Sequence, residues 1–172
     1  MALDLPAEVR AALVGWGAET VAQAGGGALR GVPPENLHLT LAFLGACEEV
    51  QAEAVGAVVR ETTGAAPGLT LTDPLWLPPR RPHVLTVEVA DDTGSLAGLR
   101  ASLIAALHAG AAFTPEARPF RPHVTVARVR RNQRIDADLP APPPARRFAA
   151  TALTLYRSHA GRYEPLARQP LL

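Results

Sequence analysis

Short apolar runs alternate along the chain with longer stretches in which apolar residues return every three or four positions, a strand-then-helix rhythm. Ala2–Leu5 is a brief strand-like run closed by Pro6, and Val9, Leu13 and Trp16 follow at helical spacing. Gly25-Gly26-Gly27 and Gly31-Val32-Pro33-Pro34 act as breakers before the run Leu37–Leu44, which ends at Gly45 and predicts a buried strand. Residues 48–63 resume the helical spacing with Val50, Ala54, Val55, Val58 and Val59, and Leu69–Thr72 predicts a strand. Trp76–Pro82 reads as a loop, Val84–Val89 as a strand, and Ser95–His108 as a helix carrying Leu96, Leu99, Leu103 and Leu107. A loop with Thr114-Pro115 and Arg118-Pro119 leads to a strand over Arg121–Val129. A spacer with Pro140 and Pro142 to Pro144 precedes a strand over Phe148–Tyr156, and a turn near Gly161 leads to a last strand near Tyr163–Leu166.

This order runs twice. The strand beginning at Ala2 lies 36 residues before His38, and the strand beginning at Val84 lies 39 before His123. Thr70, in Leu69-Thr70-Leu71, follows His38 by 32 residues; Thr154, in Leu153-Thr154-Leu155, follows His123 by 31. Each half therefore reads strand, helix, His-x-Thr strand, spacer, strand. That pattern favours a duplication into two similar lobes, related by a pseudo-two-fold axis, over a doubly wound parallel sheet.

At 172 residues and 48% apolar content the chain suits a single domain over 1–172 with a sizeable core. No apolar run approaches the ~18 residues of a membrane span, and Met1–Pro6 lacks the basic start and apolar stretch of a secretory signal. The single cysteine, Cys47, excludes an internal disulfide framework and a thiolate metal cluster. A cytoplasmic, monomeric protein is expected. Charge changes the picture further: all 17 basic residues are arginine. Residues 1–117 carry 6 Arg against 13 acids, whereas 118–172 carry 11 Arg against Asp136, Asp138 and Glu164. Arginine's planar fork suits phosphate and base stacking, so the basic C-terminal third suggests a phosphate or nucleic-acid partner, against the plainer reading of a solvated arginine surface.

Alternation along a strand puts His38 and Thr40 on one face and Leu37, Leu39 and Leu41 on the other, and likewise His123 and Thr125 against Val124 and Val126. A pseudo-two-fold can bring both His-x-Thr faces to one cleft. Two imidazoles then supply a base and an acid near neutral pH, and hydroxyls with an arginine hold phosphate oxygens. Displacement at phosphorus needs these parts, without a metal or other cofactor.

The motifs Pro34-Glu35-Asn36-Leu37-His38-Leu39-Thr40-Leu41-Ala42-Phe43-Leu44-Gly45 and Phe120-Arg121-Pro122-His123-Val124-Thr125-Val126-Ala127-Arg128 resemble the paired signatures of the two-histidine (2H) phosphoesterases. The likeness is greatest to the RNA 2′,3′-cyclic phosphodiesterases, also called 2′-5′ RNA ligases. It extends from Ala2-Leu3-Asp4-Leu5-Pro6 to Gly161-Arg162-Tyr163-Glu164-Pro165-Leu166. The resemblance implies a bilobal α+β fold with antiparallel sheets lining a central cleft and helices outside. It further implies opening of RNA 2′,3′-cyclic phosphate ends, on tRNA halves or other cleaved RNA, to 2′-phosphates, with 2′-5′ joining as a related activity. His38 and His123 correspond to the catalytic pair, Thr40 and Thr125 to phosphate ligands, and Arg128 to the accompanying basic residue. The order assigned is His123 as base toward water and His38 as acid toward the departing 3′-oxygen. The first strand is expected to be short, because relatives carry a few more residues before the match to Ala2-Leu3-Asp4. Strict alternation places Ala127 rather than Arg128 on the His123 face, so Arg128 requires a bulge or the strand's end to reach the site, or else binds RNA beside it.

Other residues weigh less. In Arg81-Pro82-His83-Val84-Leu85-Thr86 the Thr follows the His by three and faces away, which counts against direct catalysis by His83 and leaves a cleft-edge contact open. His108 near a helix end reads as structural, His159 as solvated, and Cys47 as inert. Phe43, Phe120 and Tyr156 can stack on a base or serve as core, with Phe120 favoured by its place before the second motif. Gly25–Gly27 lacks a phosphate-loop pattern and reads as linker. Two rival functions remain: a module that binds RNA ends without turnover, and a phosphodiesterase for small cyclic nucleotides.

Overall fold

The computed structural model describes residues 1–24, 27–111, 113–114, 119–135 and 138–172. Gly25 and Gly26 of the glycine run, Pro115 and Arg118 of the proline loop, and Asp136 lie outside the described residues. In chain order the elements are β1 (Ala2–Asp4), α1 (Ala7–Gln23), β2 (Leu29–Gly31), a 3-10 turn (Pro34–Asn36), β3 (His38–Thr40), α2 (Glu49–Glu61) and β4 (Gly68–Leu77). Then come β5 (Val84–Asp91), α3 (Ser95–Ala111), β6 (His123–Val129), β7 (Arg147–Ala149), β8 (Ala152–His159) and β9 (Arg162–Pro170).

All strands join one antiparallel sheet, ordered β7-β4-β5-β6-β3-β1-β8-β9, with β2 added alongside β6. The expected α+β architecture is present, the two expected sheets being fused at the contact between β3 and β6. That junction is narrow: the pairing is Leu39 with Val124, the central residues of the two His-x-Thr motifs. Outward from it the order is β6-β5-β4 on one side and β3-β1-β8 on the other, so the last strand of each sequence half pairs with the first strand of the other half. Each lobe is thus built from both halves of the chain.

The chain also shows that the sheet must curl. β7 and β8 lie near opposite ends of the strand order, yet only Ala150 and Thr151 separate them. Three Cα steps span at most about 11 Å, so the two ends of the sheet must be neighbours. The apolar side carries a core in which Leu3, Leu39, Leu85, Val87, Val124 and Leu153 are fully sealed, with Val9 and Leu13 of α1, Val59 of α2, and Leu96 and Leu107 of α3. No helix among the described residues is long and apolar enough to cross a membrane.

Several sequence expectations need correction. The Leu37–Leu44 run forms a strand only over His38–Thr40; beyond it, Leu41 and Ala42 donate to the Met1 carbonyl and the chain leaves the ladder. β4 continues through Trp76 and Leu77, which had read as loop, because buried Trp76 pairs with Leu85 and a register shift between Leu71 and Pro74 accommodates a proline with no N–H to offer. The single strand expected over Phe148–Tyr156 is divided at Ala150-Thr151 between the two ends of the sheet. β2 had been hidden by the breakers flanking it. In α2, Val50 faces solvent at the helix start rather than the core.

Candidate active site

The Leu39–Val124 pair fixes the geometry of the facing motifs. Both side chains are fully buried in the core, so their neighbours in each strand emerge on the opposite, cleft-lining face. Antiparallel register sets Thr125 across from His38 and Thr40 across from His123, leaving the two histidines on a diagonal, roughly 7–8 Å apart at the backbone. An open cleft of about 460 Å³ is lined by His38, Thr40, His123, Thr125 and Arg128, with Arg30 and Tyr163 beside them.

Arg128 reaches this cleft by a bulge. Between β5 and β6 the register slips, Leu85 pairing with Ala127 but Thr86 with Thr125, so Val126 is the extra residue. Val126 and Ala127 are consecutively buried, and Arg128 is returned to the exposed, cleft side. On its other flank Arg128 pairs with Arg30 of β2, which brings a second guanidinium to the same wall.

The two imidazoles have different surroundings. Nδ1 of His123 lies 2.7 Å from the Arg121 carbonyl, a contact that fits an Nδ1–H donor and leaves Nε2 for the cleft. Nδ1 of His38 is buried and, among the described residues, has no hydrogen bond of good geometry; the Asn36 carbonyl two residues earlier is the acceptor acting on it. Tyr156 stacks on the His38 ring at 5.5 Å between centroids, and Tyr163 approaches it edge-on at 4.7 Å. Burial holds the His38 pKa down to about 4; the Met1 ammonium and Arg128 add to the effect, while the Asn36 carbonyl and Asp4 oppose it. His38 is therefore neutral at neutral pH.

Each histidine faces an acid on the adjoining strand: Asp4 of β1 across from His38, and Glu88 of β5 across from His123. Asp4 is almost completely buried and accepts from Thr154 Oγ1 at 3.1 Å, Tyr156 Oη at 2.7 Å and Arg168 Nε at 2.9 Å. Burial, reinforced by this hydrogen bond to Asp4, pushes the Tyr156 phenol up to about 12, so it remains a donor. Glu88 accepts from Arg121 at 2.6 Å near the surface.

Phe43 is 59% exposed at the lip of the cleft. Phe120 lies outside it, in an adjoining apolar pocket of about 210 Å³ that also touches Thr40, Phe43 and His123, with the Arg100 guanidinium 4.3 Å above its ring. Tyr156 is committed to His38 and Asp4 rather than to an open base platform. His83 lines a separate basic groove, not the cleft. His108 Nδ1 meets the Phe113 carbonyl at 3.2 Å beyond the end of α3, in keeping with a structural role. His159 and Cys47 are exposed. Among the described residues, no three His, Cys, Asp or Glu side chains are grouped to hold a metal ion.

Sequence reasoning missed Arg30, Glu88 and Tyr163, and quoted Asp4 without giving it a task. Asp4 had left a signal: it is the one acid inside the apolar run Ala2–Leu5. Tyr163 is delivered by the β8–β9 hairpin, whose turn residues Ala160 and Gly161 both have positive φ, 49° and 78°. Asn36 Nδ2 donates to the Gly161 carbonyl at 3.1 Å and ties that hairpin to the segment leading into His38.

Known proteins resemble this chain over much or nearly all of its length. Residues 8–162 match the model of the 2′-5′ RNA ligase superfamily. The RNA 2′,3′-cyclic phosphodiesterase of Escherichia coli is 33% identical over 179 residues, covering 99% of this chain and 94% of that protein. A protein of the same description from Aeropyrum pernix is 32% identical over 103 residues, covering 59% of this chain and 58% of its own. Among solved structures, E. coli LigT complexed with 3′-AMP superposes with a TM-score of 0.77 at 31% identity, covering 99% of this chain and 95% of that one. With the family model spanning most of the chain and a relative of this identity end to end, the chain belongs to the two-histidine phosphoesterases, in their RNA 2′,3′-cyclic phosphodiesterase (2′-5′ RNA ligase) family.

Proposed function

We infer that this protein is an RNA 2′,3′-cyclic phosphodiesterase that opens terminal cyclic phosphates to 2′-phosphates using its own side chains. The observation that carries the reading is the Leu39–Val124 bridge, which turns two distant His-x-Thr motifs into one cleft in a chain of this family. Thr40, Thr125 and Arg128 hold the phosphate oxygens and stabilise charge as it grows in the transition state. His123 takes a proton from the attacking water, the water oxygen bonds to phosphorus, the bond from phosphorus to the 3′-oxygen breaks, and His38 protonates that oxygen. His38 must carry a proton to do so. Burial sets its low pKa; an anionic phosphate placed beside it favours the charged imidazolium and draws the proton on as substrate binds. The same course with the 5′-hydroxyl of a second RNA end in place of water gives 2′-5′ joining: the 5′-oxygen bonds to phosphorus, the bond to the 3′-oxygen breaks, and the same groups move the protons. Both motifs come from one chain, so a monomer completes the site, and cleaved RNA such as tRNA halves is its cytoplasmic substrate.

The test is incubation in EDTA with an oligoribonucleotide ending in a 2′,3′-cyclic phosphate. A 2′-phosphate from the wild type, absent with His38→Ala and His123→Ala, is the expected product. Tight binding with an unchanged cyclic end would instead indicate an RNA-end module without turnover. Turnover restricted to small cyclic nucleotides would move the substrate class.

A further inference from the structure

Two sets stand out among the basic side chains of the C-terminal third. Arg121, Arg147, Arg157 and Arg168 are held by Glu88, Asp92, Glu164 and Asp4. Arg130, Arg131 and Arg134 instead face Arg80, Arg81 and His83 across an open groove of about 930 Å³ between the β6 end and the β4–β5 loop, and no acid lines it among the described residues. The groove is anchored to the sheet: Val129 N–H donates to the His83 carbonyl at 2.8 Å, Arg130 N–H to Ala28 at 2.8 Å, and Arg130 Nε to Leu29 at 3.3 Å. Strand β6 leads to it from the cleft. β6 runs from His123 through Arg128, and Arg130 follows on the order of 20 Å from His123 along the strand.

We propose that this arginine-walled groove is a second phosphate-binding site, which holds the backbone of the RNA strand several nucleotides to the 5′ side of the reactive end. The inference rests on the proposed function, because a bound 3′-terminus leaves the rest of the strand to exit past the cleft wall. Guanidinium groups at Arg30 and Arg128 mark the nearest part of that exit. Arginine forks suit successive phosphodiesters and carry no sequence preference.

The experiment compares wild type with Arg80→Ala/Arg81→Ala, Arg131→Ala/Arg134→Ala and the fourfold variant, all at exposed positions away from the chemistry. Two substrates are used: a nucleoside 2′,3′-cyclic monophosphate and a single-stranded dodecamer with the same end. The fourfold variant keeps its kcat/KM on the mononucleotide and loses about tenfold or more on the dodecamer, with the salt slope falling by roughly 0.7 for each phosphate contact removed. Equal losses on both substrates, or on neither, overturn the proposal. Anisotropy of a dodecamer with an ordinary hydroxyl end reads the groove independently of turnover. If wild type cleaves neither substrate, the catalytic reading fails, while undiminished dodecamer binding by the fourfold variant overturns the groove. Displacement of the RNA by polyglutamate at equal charge would reassign the groove to an acidic protein.

Discussion

His38 and His123 occupy matching positions in the two lobes, each on the strand next to the pseudo-two-fold and each with an acid directly across from it, yet one half is closed and the other open. Asp4 gathers three donors from β8 and β9, whereas Glu88, with its side chain 30% exposed, holds the surface residue Arg121. Two tyrosines wall His38, while His123 is anchored through Nδ1 to a backbone carbonyl. The backbone duplication supplies two equivalent positions; the side chains around them supply different dielectric environments. The two imidazoles are thereby distinguishable, and substrate must supply the negative charge that protonates the closed one.

The largest effect should come from removing either ring. His38→Ala and His123→Ala are each expected to lower kcat by about 10²–10⁴, the usual contribution of a positioned acid or base. Single-turnover assays on a cyclic-end oligonucleotide measure it. The symmetric description breaks down if one substitution leaves turnover near wild type.

The second prediction concerns protonation. NMR titration should find His38 near 4 and raised by added inorganic phosphate, and a pKa that phosphate leaves in place would rule out the acid role assigned to it. Stability follows with a definite sign. The folded pKa lies below the unfolded value of about 6.5, so the unfolded chain binds the proton more readily; the contribution is complete above about pH 6.5 and is lost as pH falls toward 4. The loss reaches about 3 kcal/mol, and His38→Ala should flatten that limb of a urea-stability profile.

Much of this comparison was legible in the residues. The duplicate His-x-Thr motifs and the matching intervals announced two equivalent strands, because period-two alternation survives in any register. The awkward position of Arg128 even called for the bulge found at Val126. The exchange of last strands between halves was hidden, since spacing reports order along the chain and not pairing partners. The division of Phe148–Tyr156 was hidden for the same reason: two strands at opposite ends of a curled sheet read as one apolar run. Asymmetry between the halves lay in contacts from β8 and β9, about 150 residues beyond Asp4, that local patterning does not reach.

The acids provide the third prediction. Asp4→Ala strips the acceptor from a buried hydroxyl, a phenol and a half-exposed guanidinium, and should cost about 2 kcal/mol in urea denaturation. Glu88→Ala removes an exposed pair and should cost under about 1 kcal/mol. Equal costs would show that the two acids are equivalent after all.

The smallest effect tests the cause of the asymmetry. Tyr156→Phe keeps the ring over His38 and removes one donor to Asp4, so stability should fall by about 1 kcal/mol while the His38 pKa stays low. Tyr156→Ala removes the wall itself, admits water to the imidazole and should let its pKa rise toward the ordinary histidine value. The pair separates two explanations that the wild-type protein combines. If His38 rises in the Phe variant as much as in the Ala variant, the hydrogen bond to Asp4 controls its protonation; if it rises only in the Ala variant, burial by the tyrosine ring does, and the closed half owes its character to packing rather than charge.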